Sequence, residues 1–199
     1  MPSYTLNQMI DAVRSQTNEL DHEFIKQADI KRWLNDAQDN ITDFLKIEEK
    51  TTVLLVEAQE DYDIPADINK FIRVDVDGKK YSFKGLDTFN DDPAGNIYTA
   101  WENKIYLYPV PDAAAAGDAL NIYYYRKPAR LDESSDKTDI DEKYDELLIL
   151  YAIARCYQKA QEDMKFKSVM EEYEGRKAAM FVAQDKHERT SYLRQEFKW

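Results

Sequence analysis

The chain has 199 residues, 43% of them hydrophobic and 33% charged, which is enough for one substantial domain or two small ones. Its net charge of −12 argues against a protein that holds a nucleic-acid backbone, because that needs clustered Lys and Arg. The single cysteine, Cys156, excludes an internal disulfide. The longest apolar run, Leu147 to Ala154, is too short to cross a bilayer, and we expect folding in a reducing cytoplasm.

Two helices are predicted at the N-terminal end. The first runs from Leu6 to about Thr17, with Thr5 as its N-cap and apolar residues at helical spacing. The second runs from about Ile30 to Ile47, with Asp29 as its N-cap. Both carry an apolar stripe, so both are expected to pack against other elements.

After the second helix the helical spacing of apolar residues gives way to short runs of β-branched and apolar residues, which predicts a β region of about six strands. Asp77-Gly78 and Glu102-Asn103 are predicted as tight hairpin turns. Asp61 to Pro65 is read as a break, because Pro65 cannot donate to a strand ladder. The predicted strands are, in order, 51–56, 70–76, 79–83, 97–101, 104–108 and 120–126. Regular turn signals favour an antiparallel sheet or a small sandwich.

Two of these strands, 104–108 and 120–126, carry large side chains on both faces. A free-standing sheet seldom does so, because one of its faces normally meets water. One face is expected to pack on the chain's own helices and the other to meet a partner. The residues predicted at a subunit interface are Tyr106, Tyr108, Tyr123 and Tyr125.

Residues 132–139 form an acidic connection whose composition is typical of a flexible segment, and the chain is predicted to return to helix after it. Asp141 is the predicted N-cap of a helix that includes the apolar run 147–154, and a helix apolar all round is buried on all sides. We expect its burial to need the other helices and either the sheet or a neighbouring subunit. A last helix is predicted over about 163–184. The predicted fold is α+β: a helical bundle from 1–49 and 140–185, with the β domain 50–131 inserted.

Candidate chemistry is weak throughout, so no catalytic, cofactor-binding or metal-binding residue is assigned. No two carboxylates are singled out as an acid/base pair. Asp132, Ser134 and Asp136 have calcium-loop spacing, but Lys137 and Lys143 stand where Gly and Glu are needed. The two histidines lack ligand spacing, and Cys156 has no neighbouring base.

The terminal segment, 186–199, mixes basic and large apolar side chains. Disordered tails are poor in aromatic residues, which favours a docking peptide whose aromatic side chains fill pockets on a partner. The alternative is a frayed extension of the last helix. The predicted docking residues are Tyr192, Leu193, Arg194, Phe197 and Trp199.

Several motifs, in this order, resemble the head-to-tail adaptor (connector) proteins of tailed bacteriophages. The motifs are Ile30–Gln38, Tyr62–Asp67, Arg73–Gly78, Ile105–Asp112, Ile122–Pro128 and Asp141–Tyr144. The resemblance covers about residues 27–160, and the overall layout is similar to that of the tail tubular A proteins of short-tailed phages.

The resemblance implies a structural virion protein in the tail neck, assembled in the host cytoplasm, with no reaction and no cofactor. It implies a ring, usually of twelve copies, with the portal above and a nozzle or stopper protein below. In several such adaptors the C-terminal segment reaches the portal, which makes the docking residues portal-docking residues. DNA would pass through the ring without specific binding, and an acidic wall would repel its phosphates. The channel-lining candidates are Asp132, Glu133, Asp136 and Asp139.

Two other classes of function stay open. The aromatic strands are compatible with a tail-associated carbohydrate-binding or host-attachment module, although no stalk repeat is present. The second class is a hydrolase, which would lose its activity when a single catalytic Asp or Glu is replaced. A glycan-binding screen separates the first class from an adaptor.

Overall fold

The protein is described by a computed structural model that covers residues 4–17, 20, 23–42, 44–91 and 94–196, with side chains up to Ala183. The chain divides into two compact units. The helical unit comprises Met1–Phe44 and Pro128–Trp199, and the β unit comprises Leu45–Lys127. Helices and a sheet occupy separate parts of the chain, so the predicted α+β class is confirmed.

The described residues form five α-helices and seven strands. The helices are α1 (Leu6–Gln16), α2 (Gln27–Ile41), α3 (Leu86–Asp91), α4 (Asp145–Lys159) and α5 (Asp163–Glu196). The strands are β1 (Glu48–Leu54), β2 (Asp61–Asp63), β3 (Ile68–Val76), β4 (Lys79–Phe83), β5 (Ile97–Trp101), β6 (Lys104–Tyr108) and β7 (Ala119–Arg126). A short 3₁₀ helix, Glu142–Tyr144, precedes α4, with Asp141 as its N-cap.

Helix α4 lies at the centre of the helical unit. Its apolar run is buried almost completely, and α1, α2 and α5 all pack against it. Burial on all sides therefore agrees with the sequence pattern. Because the helices of the same unit already account for it, this helix gives no argument for a neighbouring subunit.

The helix boundaries follow the local hydrogen bonds. Thr5 caps α1 as predicted: its hydroxyl accepts from the Gln8 amide, and the Gln8 side chain accepts from the Thr5 amide. Helix α2 begins at Gln27, before the predicted cap at Asp29. Asp29 instead occupies the third helical position, where its carboxylate accepts a hydrogen bond from the Lys26 amide, 3.2 Å away. The helix ends at Ile41 instead of Ile47, and the chain enters β1 at Glu48.

The seven strands form one sheet in the order β1-β7-β3-β4-β5-β6-β2. All pairs are antiparallel except β4 and β5, which pair in parallel at Ser82–Ile97 and Phe83–Tyr98. The prediction of about six strands is thus close, with one strand more, whereas the prediction that all strands are antiparallel is wrong for this pair. The extra strand, β2, ends at Asp63, so Pro65 lies beyond the ladder and does not interrupt it. Helix α3 lies in the connection between β4 and β5 and packs against β5.

The sheet curls so that strands from its two ends share one core. This core takes one face of each strand and belongs to the β unit. Its buried members are Leu55, Tyr62, Val74, Val76, Tyr81, Tyr98, Ile105, Leu107, Leu120, Ile122 and Tyr124. On β5 the opposite face is buried as well, at Ile97 and Thr99, and α3 packs against this strand. On β6 and β7 the opposite face is half-buried and is left for other contacts.

Candidate docking surface

The four tyrosines predicted at a subunit interface lie on the face opposite the sheet core. Side chains alternate along a strand, and Ile105 and Leu107 on β6, like Ile122 and Tyr124 on β7, belong to the core. The residues between and beside them point the other way and are half-buried: Tyr106, Tyr108, Tyr123 and Tyr125. The four tyrosines therefore share the face opposite the core, and their role at a subunit interface stays a prediction.

Tyr123 lies at the centre of the outer face of β1, β7 and β3. Lys50 on β1 and Arg73 on β3 are its direct cross-strand partners. The Lys50 ammonium lies 5.4 Å from the centre of the Tyr123 ring, within cation–π range. Arg73 forms an ion pair of 2.9 Å with Asp75. A cationic side chain therefore stands on each side of this aromatic ring.

The next row of the same face is held by hydrogen bonds. The Thr52 hydroxyl donates to Asn121 Oδ1 at 2.9 Å, and Asn121 Nδ2 donates to Asp75 Oδ1 at 3.0 Å. The Gly78 amide donates to the same carboxylate oxygen at 3.2 Å. Asp75 is buried, and a buried carboxylate needs such partners. These bonds tie β1, β7 and the β3–β4 turn together, so the surface is pre-organised.

A β-bulge opens a pocket beside Tyr123. The β3–β7 register shifts between Phe71 and Arg73, which leaves Ile72 without a direct partner and 44% exposed. Bulges bend a strand and re-aim its side chains. The pocket has a volume of about 300 Å³, and its lining residues are Glu48, Glu49, Lys50, Ile72, Arg73 and Tyr123. It combines a charged rim with apolar and aromatic walls, as protein interfaces do.

The family model described as SU10 adaptor protein matches residues 4–195, and this span includes both units of the chain. The chain belongs to the SU10 adaptor protein family. It is thus a structural adaptor protein of bacteriophage, as the resemblance implied. No curated protein matches the sequence.

The described part of this SU10 adaptor protein contains no group of His, Cys, Asp and Glu side chains that could hold a metal ion. Burial raises the pKa of the Cys156 thiol to about 12, so the thiol is an unreactive core group. The helices within the described ranges include none that is long and apolar enough to cross a membrane.

The acidic connection of the adaptor is tied to the start of α1. The Leu6 and Asn7 amides donate to the carbonyls of Asp136 and Ser134, at 2.7 and 3.1 Å. The Asp136 carboxylate accepts from the Asp132 and Glu133 amides, both at 2.8 Å. These two bonds hold the pKa of Asp136 below its ordinary value. The segment is therefore fixed where its composition suggested flexibility.

The four channel-lining candidates differ in their surroundings. Asp132 lies 3.3 Å from the Lys31 ammonium, and Asp139 accepts from the Ala129 amide at 3.1 Å. Glu133 and Asp132 have exposed side chains, whereas Asp136 closes the turn. Their place in a channel stays a prediction.

The predicted portal-docking residues lie outside the part of the adaptor described at side-chain level. The backbone of α5 continues to Glu196, beyond the predicted end near Gln184, so it includes Tyr192, Leu193 and Arg194. Phe197 and Trp199 lie outside the described residues. Portal docking by this segment therefore stays a prediction.

Proposed function

We propose that this SU10 adaptor protein forms a ring beneath the portal, joins the portal to the tail and keeps a DNA channel open. The observation that carries the proposal is the outer face of the sheet. Its tyrosines are only half-buried in a single chain, and Tyr side chains are enriched at protein interfaces. A second protein that covers this face would bury aromatic surface at little cost in conformational freedom.

The proposed ring rests on the symmetry of assemblies in which every copy makes the same contact with the next copy. Most homo-oligomers are closed and cyclic, and a head-to-tail contact between two different surfaces closes into a ring when its rotation allows. The resemblance to head-to-tail adaptors implies twelve copies, with the portal above and a nozzle or stopper below. Residues 186–199, with Tyr192 to Trp199 as anchors, are the proposed contact with the portal.

The charge of the chain suits a passage for DNA. A net charge of −12 per copy is multiplied in a ring, and a wall of one sign produces a strong local field. Asp132 and Glu133 are exposed carboxylates and are the proposed lumen residues. They would repel phosphates, so that DNA slides past without specific binding.

The proposed role in the virion neck involves no reaction and no cofactor. The adaptor would act through its surfaces: one toward the portal, one toward the tail and one toward its own copies. The buried thiol of Cys156 and the hydrogen-bonded carboxylate of Asp75 both have structural roles within one chain.

Electron microscopy of the purified adaptor mixed with the portal of the same phage tests this function. A coaxial ring stacked on one end of the portal is the expected result. Isolated monomers with no affinity for the portal would overturn the proposal. Binding in a glycan screen, with no ring, would instead favour a host-attachment module.

A further inference from the structure

The hairpin of β5 and β6 presents an unusual tip. Trp101, the last residue of β5, is 52% exposed. The two turn residues, Glu102 and Asn103, have φ values of 46° and 64°. Two-residue turns with both φ values positive favour Asn, Asp and Gly, as in the other hairpin, where Asp77 and Gly78 occupy these positions. Asn103 supplies the local turn signal, whereas Glu is uncommon at a positive φ, which makes the Glu102 side chain a candidate for a contact.

The pocket beside Tyr123 is lined by two cations, Lys50 and Arg73, and by two carboxylates, Glu48 and Glu49. Arg73 pairs with Asp75 and Glu49 with Arg126, whereas Lys50 contacts the Tyr123 ring and forms no ion pair within the described part of the chain. The Lys50 ammonium is thus the cation at the rim that can pair with a further carboxylate. The pocket volume of about 300 Å³ exceeds the roughly 150 Å³ in which a protein cavity holds a benzene molecule. The pocket therefore has room for one indole ring.

We propose that Trp101 and Glu102 of one copy dock into this pocket of the neighbouring copy. The indole would contact Tyr123 and Ile72, and its face would attract the Lys50 ammonium. The Glu102 carboxylate would pair with Lys50 at the rim. This inference rests on the proposed ring and names the contact that builds it.

The position of the two features within one sheet supports a head-to-tail contact. The tip belongs to β5 and β6, whereas the pocket lies on β1, β7 and β3, separated from β5 by β4 in the strand order. Each copy thus offers a projecting aromatic residue at one place and a receptor at another. Two different surfaces make a heterologous contact, which closes into a ring when its rotation allows, whereas an isologous contact stops at a dimer.

Cysteine cross-linking with a short bis-maleimide tests the contact directly. Glu102→Cys and Lys50→Cys are prepared as two single variants and as one double variant. Each is cross-linked both free in solution and assembled on the portal. The double variant is expected to give a ladder of covalent oligomers, and a mixture of the two single variants only dimers. Lys79→Cys, at the exposed β3–β4 turn, is the matched control and is expected to give no product with Lys50→Cys. Cys156 is buried and does not react.

A Trp101→Ala variant provides a second readout. Central aromatic anchors dominate interface energies, so we expect self-association, measured by mass photometry, to weaken about thirtyfold. Val110→Ala, which shortens another exposed apolar side chain of the same unit, is expected to change it less than about twofold.

The outcomes separate this inference from the proposed function. Rings on the portal without any Glu102–Lys50 cross-link would overturn the contact and leave the adaptor role intact. Absence of both rings and cross-links would overturn both. A ladder together with a loss of association in Trp101→Ala supports the contact.

Discussion

Lys50 and Tyr123 face each other across β1 and β7, with the ammonium 5.4 Å from the ring centre. The next residue, Tyr124, points to the other side of the sheet and is 2% exposed. Two adjacent tyrosines of one strand therefore serve opposite surfaces: Tyr124 belongs to the core of the β unit, and Tyr123 forms the centre of the proposed docking surface.

This relationship predicts that adjacent substitutions separate stability from assembly. Tyr124→Ala is expected to lower the free energy of unfolding by about 3 kcal/mol, because it empties a core position. Tyr123→Ala is expected to lower it by about 1 kcal/mol or less while preventing ring formation. Urea denaturation measures the first effect and mass photometry the second. Rings of normal size in Tyr123→Ala would show that this residue lies outside the subunit contact.

Asp29 links the start of α2 to the end of α4 within the helical unit. Its carboxylate accepts from Lys159 Nζ at 2.7 Å and from the Lys26 amide at 3.2 Å. The hydrogen bond from Lys159 is the largest cause that holds the pKa of Asp29 below 3.8. Because the folded pKa lies below the unfolded one, the ionised carboxylate stabilises the fold fully above the unfolded pKa. This contribution is lost as pH falls through the folded pKa.

Asp29→Asn is therefore expected to lower the free energy of unfolding by about 1–2 kcal/mol at neutral pH. The difference from the native chain should shrink as pH falls below about 4. Asp39→Asn is the matched control on the same helix, because the Asp39–Arg130 pair has both side chains more than half exposed, and we expect it to cost less than about 1 kcal/mol. An Asp29→Asn effect of equal size in acid and at neutral pH would refute this role.

Tyr173 on α5 buries a hydroxyl that has no hydrogen-bond partner within the described residues. Its ring lies 5.3 Å from that of Tyr151 on α4, and burial raises the pKa of Tyr173 above its ordinary value, so the hydroxyl stays protonated. An unpaired buried hydroxyl costs free energy. Tyr173→Phe is expected to raise the free energy of unfolding by about 1 kcal/mol, measured by thermal or urea unfolding. A loss of stability would mean that the hydroxyl is bonded to a partner such as water.

Removal of residues 186–199 tests the proposed portal contact. The buried anchor of α5, Tyr173, lies before the deleted segment, so the helical unit is expected to keep its fold. Circular dichroism should show little change, while co-purification with the portal should be abolished. A truncated chain that still co-purifies with the portal would show that another surface makes this contact.

The features that depend on neighbouring residues in the sequence were predictable. Thr5, Asp77-Gly78 and Glu102-Asn103 are local signals, and each marks a helix start or a hairpin turn as expected. The sequence also showed that the strand around Ile122 and Tyr124 has large side chains on both faces, but the structure was needed to show which face is the core. Local hydrogen bonding also explains why Asp29 was misassigned, because an acidic residue serves equally well at the third helical position as at the cap.

The features that depend on distant residues were missed. β2 has only three residues, and it forms because Tyr62 fills the core and pairs with Ile105, far along the chain. The parallel pairing of β4 with β5 joins strands on either side of α3, and no local signal in the sequence marks it. The pocket beside Tyr123 arises from a register shift at Ile72, which no turn signal in the sequence marks.

A cryo-EM reconstruction of the adaptor assembled on the portal tests the central claim most directly. The measured quantity is the fraction of the Tyr123 side-chain surface that a neighbouring copy covers. We predict a ring in which this residue is almost completely covered and the Trp101 hairpin tip of the adjacent copy fills its pocket. A ring in which Tyr106, Tyr108, Tyr123 and Tyr125 all face solvent would contradict the account.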